Sequence, residues 1–194
     1  MVSLTCETPP SVDVVSLAEV KAHLFISDSE SDTHLSALIA AAAAACSIYC
    51  GRGLGLATYV YTLDEFPSGG NRIRLPVTPL VADQTTIAYV DVDGASRTID
   101  AADLLIGLRT GQVAPADYWP ATEWNRPEAV TVTFQAGKAP ASLPKQAKQA
   151  ILLTVGHYWA NRGDEIRAAD PTGSAALPVA ARFLLDQLKS GSLD

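Results

Sequence analysis

Apolar residues recur at the 3.6-residue spacing of amphipathic helices near both ends of the chain, and at a two-residue spacing between them. In the first segment, Ser16 with Glu19 three residues later forms a capping box. Val15 and Val20 occupy the positions of a hydrophobic staple at the same helix entry. The pattern predicts a short helix over Leu17–Leu24.

A longer helix is predicted between the polar stretch 27–32 and Gly51, which ends it. Its apolar face consists of residues at helical spacing: Leu35, Leu38, Ile39, Ala42, Cys46, Tyr49 and Cys50. Residues 40–45 are all alanine, which favours a helix and allows a neighbouring helix to approach closely. We therefore take Ala41, Ala44 and Ala45 as candidate subunit-packing residues.

The middle of the chain alternates apolar and polar residues, which predicts strands at 58–63, 72–75, 86–90, 104–108 and 130–134. Asp93-Gly94 predicts a hairpin turn, because glycine reaches the positive backbone angles that tight hairpins require. Residues 115–127 are interpreted as a loop held by aromatic side chains, and residues 1–13 as an irregular lead-in. We expect one small antiparallel sheet.

A second helical segment begins at Pro144, a favourable first-turn residue, and ends at Asn161-Arg162-Gly163. After a polar connector at 170–178, a last amphipathic helix carries Ala180, Phe183, Leu184 and Leu188. A helix so close to the chain end can bind a neighbouring protein.

These elements predict an α+β fold: a helical bundle built from both chain ends, with a small antiparallel β insertion in the middle. The predicted helical core covers residues 1–56 and 138–194, and the β-rich insertion covers residues 57–137.

Composition and charge narrow the functional classes. The chain has 194 residues, of which 48% are hydrophobic and 18% charged, as in ordered globular proteins. A net charge of -7 disfavours a protein that grips phosphate backbones, although a protein that surrounds DNA without holding it can be acidic. No apolar run of membrane-spanning length and no signal-peptide pattern is visible. Three cysteines do not make a disulfide framework, so we expect synthesis in a reducing cytoplasm.

The sequence motifs that could indicate a nucleotide or metal site are better explained as structural features. The glycine-rich stretch 51–55 follows a helix and precedes a strand, the reverse of a nucleotide-binding loop. Cys46 and Cys50 lie one helical turn apart, but a zinc site needs two further ligands, and His34 and Cys6 are poorly placed. We interpret both cysteines as ordinary buried thiols.

The remaining candidate residues also lack the neighbouring residues that a catalytic, calcium-binding or nucleic-acid-binding site requires. No nucleophile-elbow sequence accompanies the histidines, which are His23, His34 and His157. Asp91-x-Asp93-Gly94 lacks the later calcium ligands, and Asp64-Glu65 is interpreted as a solvated turn. The arginines of the strand region alternate with acids: Arg72, Arg74, Arg97 and Arg109. We predict no catalytic, cofactor-binding or metal-binding residues.

The order of elements resembles the head-tail connector, or adaptor, family of long-tailed bacteriophages and phage-like gene transfer agents. The segments that carry the resemblance are SLAEVKAHL (16–24), the alanine-rich helix 35–52, LPVTPL (75–80), YVDVDG (89–94), Trp119-Pro120, VTVTFQAG (130–137) and the helix 144–162, which ends in HYWANR. Together they span about residues 14–190.

The resemblance implies a structural virion protein of the neck, made in the bacterial cytoplasm and without enzymatic turnover or cofactors. It implies a homo-oligomeric ring, commonly a dodecamer, that sits beneath the portal protein, extends the DNA channel and provides a platform for the next neck or tail-completion protein. DNA would pass through the lumen without sequence-specific binding, and no membrane is involved. The C-terminal segment would reach the portal, which makes Leu177, Phe183, Leu184 and Leu188 the candidate portal contacts.

Two other functions stay open at this point. One is another neck or tail-completion protein of the same particle, and the other is a small hydrolase that uses His157 or the cysteines. The sequence also leaves open whether the particle is an infectious phage or a gene transfer agent.

Overall fold

The computed structural model describes residues 2–10, 13–161 and 177–189. Within these residues the chain forms four α-helices and eight β-strands. The helices are α1 (Leu17–Leu24), α2 (Asp32–Cys50), α3 (Lys145–Ala160) and α4 (Val179–Asp186). The strands are β1 (Val2–Thr8), β2 (Ala57–Leu63), β3 (Ile73–Arg74), β4 (Leu80–Val90), β5 (Ser96–Ile99), β6 (Leu104–Gly107), β7 (Gln112–Pro115) and β8 (Val130–Ala136).

The chain divides into two compact units of comparable size. The strand unit comprises Met1–Ser11 and Leu56–Gly137, and the helical unit comprises Val12–Gly55 and Lys138–Asp194. Each unit has its own hydrophobic cluster.

The strand unit contains two antiparallel sheets. One has five strands in the order β1-β2-β8-β4-β5, and the other has three in the order β3-β7-β6. In the central strand β8, every second residue is buried: Val130, Val132, Phe134 and Ala136. This period of two places one face of β8 in the core, where Phe134 stacks on Tyr59 at 5.6 Å between ring centroids.

Strand β1 forms an edge of the five-stranded sheet and pairs with β2, from Val2 opposite Leu63 to Thr8 opposite Thr58. From the sequence, these residues are predicted to form an irregular lead-in that belongs with the helical segments. All seven residues of β1 are exposed, so no buried face marks the strand in the sequence, and its extended form comes from hydrogen bonds to β2.

The predicted fold class is therefore wrong. A helical bundle with a small insertion does not describe a chain with eight strands in two sheets, one of which takes in the N-terminal residues. The sequence predicts one sheet where the structure has two, and it does not predict β7, which pairs with β3 through Gln112 and Val113 and with β6 through all four residues.

Helix α1 begins as the sequence predicts. The Ser16 hydroxyl accepts a hydrogen bond from the Glu19 amide at 3.3 Å, and the Glu19 carboxylate accepts one from the Ser16 amide at 2.8 Å. Val15 and Val20 are both buried, as a hydrophobic staple requires. The helix ends at Phe25, whose backbone is in the left-handed conformation. Lys21 of α1 forms an ion pair with Asp32 of α2 at 2.7 Å.

Helix α2 has 19 residues and, by length and composition alone, is long and apolar enough to cross a membrane. Core helices of globular proteins meet the same test, and one face of α2 is buried in the cluster of the helical unit: Leu35, Ile39, Ala42, Cys46 and Cys50. The C-terminal cap is Gly51 at φ 66°, a left-handed conformation that favours glycine.

Helices α3 and α4 contribute further residues to that cluster. The buried residues of α3 are Ala147, Ala150, Ile151, Thr154 and Val155, and those of α4 are Ala181 and Leu185. The cap of α3 is Asn161, and the predicted ending at Arg162-Gly163 lies outside the described residues.

Candidate assembly surfaces

The two cysteines of α2 are packing residues. Cys46 and Cys50 are buried, and Cys46 Sγ lies 3.6 Å from the hydroxyl of Thr154, which donates to the Ala150 carbonyl at 2.8 Å. Burial raises the pKa of the Cys46 thiol to about 11 and also raises that of Cys50. Both thiols are therefore protonated near neutral pH and poor as nucleophiles or metal ligands.

The other groups considered for chemistry are dispersed. Within the described part of the chain, no three His, Cys, Asp or Glu side chains lie together as a metal site requires. His157 Nδ1 lies 3.1 Å from the Asn161 amide nitrogen at the end of α3, and the His34 ring packs 5.9 Å from Trp159. These contacts join His157 and His34 to neighbouring side chains of the helical unit.

The carboxylates of the two acidic motifs accept hydrogen bonds from backbone amides. The Asp91 carboxylate accepts hydrogen bonds from the amides of Asp93 and Ala95 and from Arg97 at 2.8 Å. These bonds, with that from Arg97 the largest cause, lower the pKa of Asp91. Asp64 accepts a hydrogen bond from the Glu128 amide at 3.1 Å. Asp91 thus stabilises its own turn, and Asp64 links the segment after β2 to the segment before β8.

The glycine-rich stretch 51–55 is a helix ending. The Gly51 amide donates to the carbonyl of Ile48, and the Leu54 amide donates to the Ser47 hydroxyl at 3.3 Å. These amides satisfy the end of α2, so they are not presented to a phosphate.

The outer face of α2 is lined with small side chains. Ala41 and Ala44 are exposed, and Ala45 is half-buried. Ile48, one turn after Ala44, is 83% exposed, which is unusual for a large aliphatic side chain on a helix that also builds a core. The described helical unit leaves this face uncovered.

The four predicted contact residues, which lie in α4 or next to it, are in different environments. Leu177 is 5% exposed and belongs to the core, and Leu184 and Leu188 pack partly against it. Phe183 is 67% exposed, and Val179, one turn earlier on the same face, is 74% exposed. Of the four residues, Phe183 is the one that offers most of its side chain to a partner.

A polar cluster fixes the end of α4 on α2. The Tyr49 hydroxyl donates to Asp186 at 3.0 Å, and Lys189 lies 2.8 Å from the same carboxylate and 4.0 Å from the centre of the Tyr49 ring. Hydrogen bonds from Lys189 and Tyr49 lower the pKa of Asp186. The exposed face of α4 is therefore held in a defined position.

The sequence analysis missed two exposed aromatic residues in the loop after β7. Tyr118 is 84% exposed and Trp124 is 91% exposed. The loop was predicted to be held by aromatic side chains, and Trp119 does so, but Trp124 points to solvent. The adjacent charged residues Glu123 and Arg126, which form an ion pair at 2.8 Å, are the sequence signal that this segment is at the surface.

Comparison with known proteins gives a family match over most of the chain. A family model described as head completion protein matches residues 13–170. No curated protein sequence matches the chain.

Solved structures share the fold. A chain from the virion of a native gene transfer agent particle is similar at a TM-score of 0.74 and 21% identity, covering 96% of this chain and 94% of that chain. A chain from the neck of an empty particle of this kind, computed with C6 symmetry, gives a TM-score of 0.75 at 21% identity, covering 96% and 95%. A chain from the neck of a native particle, computed with C12 symmetry, gives 0.70 at 22% identity, covering 96% and 94%.

Proposed function

The chain belongs to the head completion protein family, and from this premise we propose that it is a structural adaptor in the neck of a phage or phage-like particle. In this role it forms a ring beneath the portal, extends the DNA channel and carries the next neck or tail protein. The family match over residues 13–170 is the observation that carries the proposal.

A ring of twelve copies is the proposed assembly. Similar chains come from particle necks computed with C6 and C12 symmetry, and twelve copies are compatible with both symmetries. A closed ring needs a heterologous interface, in which one face of a subunit meets a different face of the next. The small-residue face of α2 is proposed as one side of this interface, with Ala41, Ala44 and Ala45 allowing close approach of a neighbouring element.

The exposed face of α4 is proposed as the portal contact. Phe183 presents a large aromatic surface there, and aromatic residues often dominate binding energy at interfaces. Leu184 and Leu188 would add apolar area at the edge of this contact, whereas Leu177 supports α4 from within the core. The polar cluster of Tyr49, Asp186 and Lys189 keeps the face in position.

A passive, non-enzymatic role fits the charge and the thiol chemistry. The net charge of -7 would keep DNA from adhering as it passes through the lumen. Catalysis is not part of the proposal, because burial raises the pKa values of the Cys46 and Cys50 thiols, and His34 and His157 make contacts within the helical unit.

Complementation of a producer strain tests the proposal. Disrupting the gene should give DNA-filled heads and free tails that do not join, and wild-type protein should restore complete particles. Ala44→Arg places a long cation on the proposed ring face and should give folded protein that fails to assemble. Gln149→Arg, at an exposed position of α3, is the matched control and should complement fully. Normal tail joining in the disrupted strain would refute the role.

A further inference from the structure

We infer that the loop 117–128, here called the aromatic loop, is a docking surface for a basic protein on the tail side of the same particle. The inference rests on the proposed neck function and goes beyond it by assigning a second partner surface, in the strand unit. Its chemistry is two exposed aromatic rings beside an excess of carboxylates.

The exposure of the two rings is the first observation. Trp124 is 91% exposed and Tyr118 is 84% exposed, six residues apart in the chain. Single exposed apolar residues are ordinary on protein surfaces. Trp and Tyr, however, are the residues most enriched among those that dominate binding energy. Two of them at the surface of one short loop therefore indicate an interface.

The loop is held at its first half by Trp119. The Trp119 indole donates to the Asn71 carbonyl at 2.7 Å, and its ring stacks on Phe66 with 4.7 Å between centroids and 7° between planes. Phe66 is itself buried and packs edge-on against Tyr89. Tyr118 is thus attached directly to an anchored residue.

The second half is held by backbone hydrogen bonds. Thr122 forms a bridge with Asp91, the Glu123 amide donates to the Val90 carbonyl at 3.1 Å, and the Glu128 amide donates to Asp64 at 3.1 Å. Trp124 lies between these fixed points. A loop ordered before binding loses less conformational entropy on association, which favours affinity.

Charge defines the partner. Six charged residues belong to the aromatic loop and the adjoining segment 64–65, and five of them are acidic: Asp64, Glu65, Asp117, Glu123 and Glu128, against Arg126. A cleft of about 520 Å³ is lined by Glu65 and Trp124 among others, and a second cleft of about 250 Å³ is lined by Glu65 and Tyr118. A lysine or arginine of the partner can meet both an aromatic face and a carboxylate there.

The same charge disfavours nucleic acid as the occupant. Nucleic acid is repelled by the carboxylates, because its binding depends on cationic groups that replace counterions. Since the portal is assigned to the exposed face of α4, the other partner of the proposed function, the next neck or tail protein, is the proposed occupant.

The experiment uses DNA-filled heads that carry this protein and tails purified from a strain that lacks it. Heads with Trp124→Ala, and heads with Trp124→Ala and Tyr118→Ala together, are mixed with tails, and joined particles are counted by electron microscopy over a range of tail concentrations. The matched control is Leu105→Ala, which removes an exposed apolar side chain from β6 of the three-stranded sheet. Circular dichroism checks that each variant folds.

We expect Trp124→Ala to raise the tail concentration needed for half-joining by about tenfold or more. Trp124→Tyr should recover most of the affinity, and raised salt should weaken joining by wild-type heads. Heads with Leu105→Ala should join normally.

Unchanged joining by the double variant would overturn the inference. Loss of the double variant from heads, or loss of its ring, would also overturn it, because the loop would then face the head or a second copy. If wild-type protein is not on heads at all, the proposed neck function fails as well, so the two failures are distinguishable.

Discussion

Leu185 and Phe183, two residues apart in α4, should give opposite phenotypes when each is changed to alanine. Leu185 is fully buried in the helical unit, whereas Phe183 is 67% exposed. Leu185→Ala removes three carbons, worth roughly 0.8 kcal/mol each when buried. With the cavity left behind, the expected loss is about 3 kcal/mol.

This loss of free energy should mainly weaken the packing of α4 against the rest of the helical unit. A helix of eight residues is not stable alone in water, so α4 depends on packing for its structure. A loss of about 3 kcal/mol raises the equilibrium constant for opening by on the order of 100-fold. Phe183→Ala removes a solvated ring and should change the free energy of unfolding by about 0.5 kcal/mol or less.

Hydrogen–deuterium exchange followed by mass spectrometry measures the difference. In Leu185→Ala, the amides of α4 should exchange on the order of 100-fold faster, while those of β8 in the strand unit should exchange as in the wild type. In Phe183→Ala, both regions should match the wild type, and binding to purified portal should weaken. Equal acceleration of α4 exchange in the two variants would refute the placement of these side chains.

Three further predictions concern the local structure. Ser16→Ala should lower the free energy of unfolding by about 1 kcal/mol at neutral pH, measured by urea denaturation. Hydrogen bonds from Ser16 lower the pKa of Glu19. The stabilisation that they give is therefore complete above the ordinary value of 4.5 and is lost as the pH falls through the folded pKa. The difference in unfolding free energy between Ser16→Ala and wild type should narrow in acid, and a constant difference would contradict this account. A thiol reagent near neutral pH should label Cys6 quickly and Cys46 only after unfolding, because Cys6 is exposed whereas Cys46 is buried with a pKa of about 11; fast labelling of both would contradict the packing of α2. Thr85→Val should leave stability unchanged or raise it by about 1 kcal/mol, since the buried Thr85 hydroxyl has no hydrogen-bond partner among the described residues; a clear loss in thermal denaturation would show that the hydroxyl is satisfied.

Local signals predicted the helices better than the sheets. The capping box at Ser16 and Glu19 lies within four residues, and the structure contains both of its hydrogen bonds. The C-terminal glycine of α2 is equally local, because Gly51 takes the left-handed conformation that ends the helix. Each of these features depends on residues close together in the sequence.

The strands depend on distant partners, which explains the errors. β1 has no buried face and is defined by its pairing with β2, more than fifty residues away. β4 extends from Leu80 to Val90, longer than the predicted strand at 86–90, because a register shift with β8 and a left-handed Asp83 interrupt the alternation. The segment predicted to be a small β insertion therefore folds, together with β1, as a unit that contains two sheets.

The candidate surfaces were predicted only in part. Helical spacing distinguished the buried face of α2 from its small-residue face, but it did not separate buried Leu185 from the residues predicted for contact, among which Leu177 is also buried. Trp124 shows why an aromatic residue in a loop is ambiguous: Trp119, five residues earlier, packs on Phe66, and only the structure distinguishes the two.

Cryo-electron microscopy of necks isolated from particles that contain this protein tests the central claim most directly. The account predicts a closed ring of twelve copies stacked on the portal around a continuous channel, with Ala41 and Ala44 at the contact between neighbouring subunits. A neck without density for this chain, or a chain bound there as a single subunit, would contradict it.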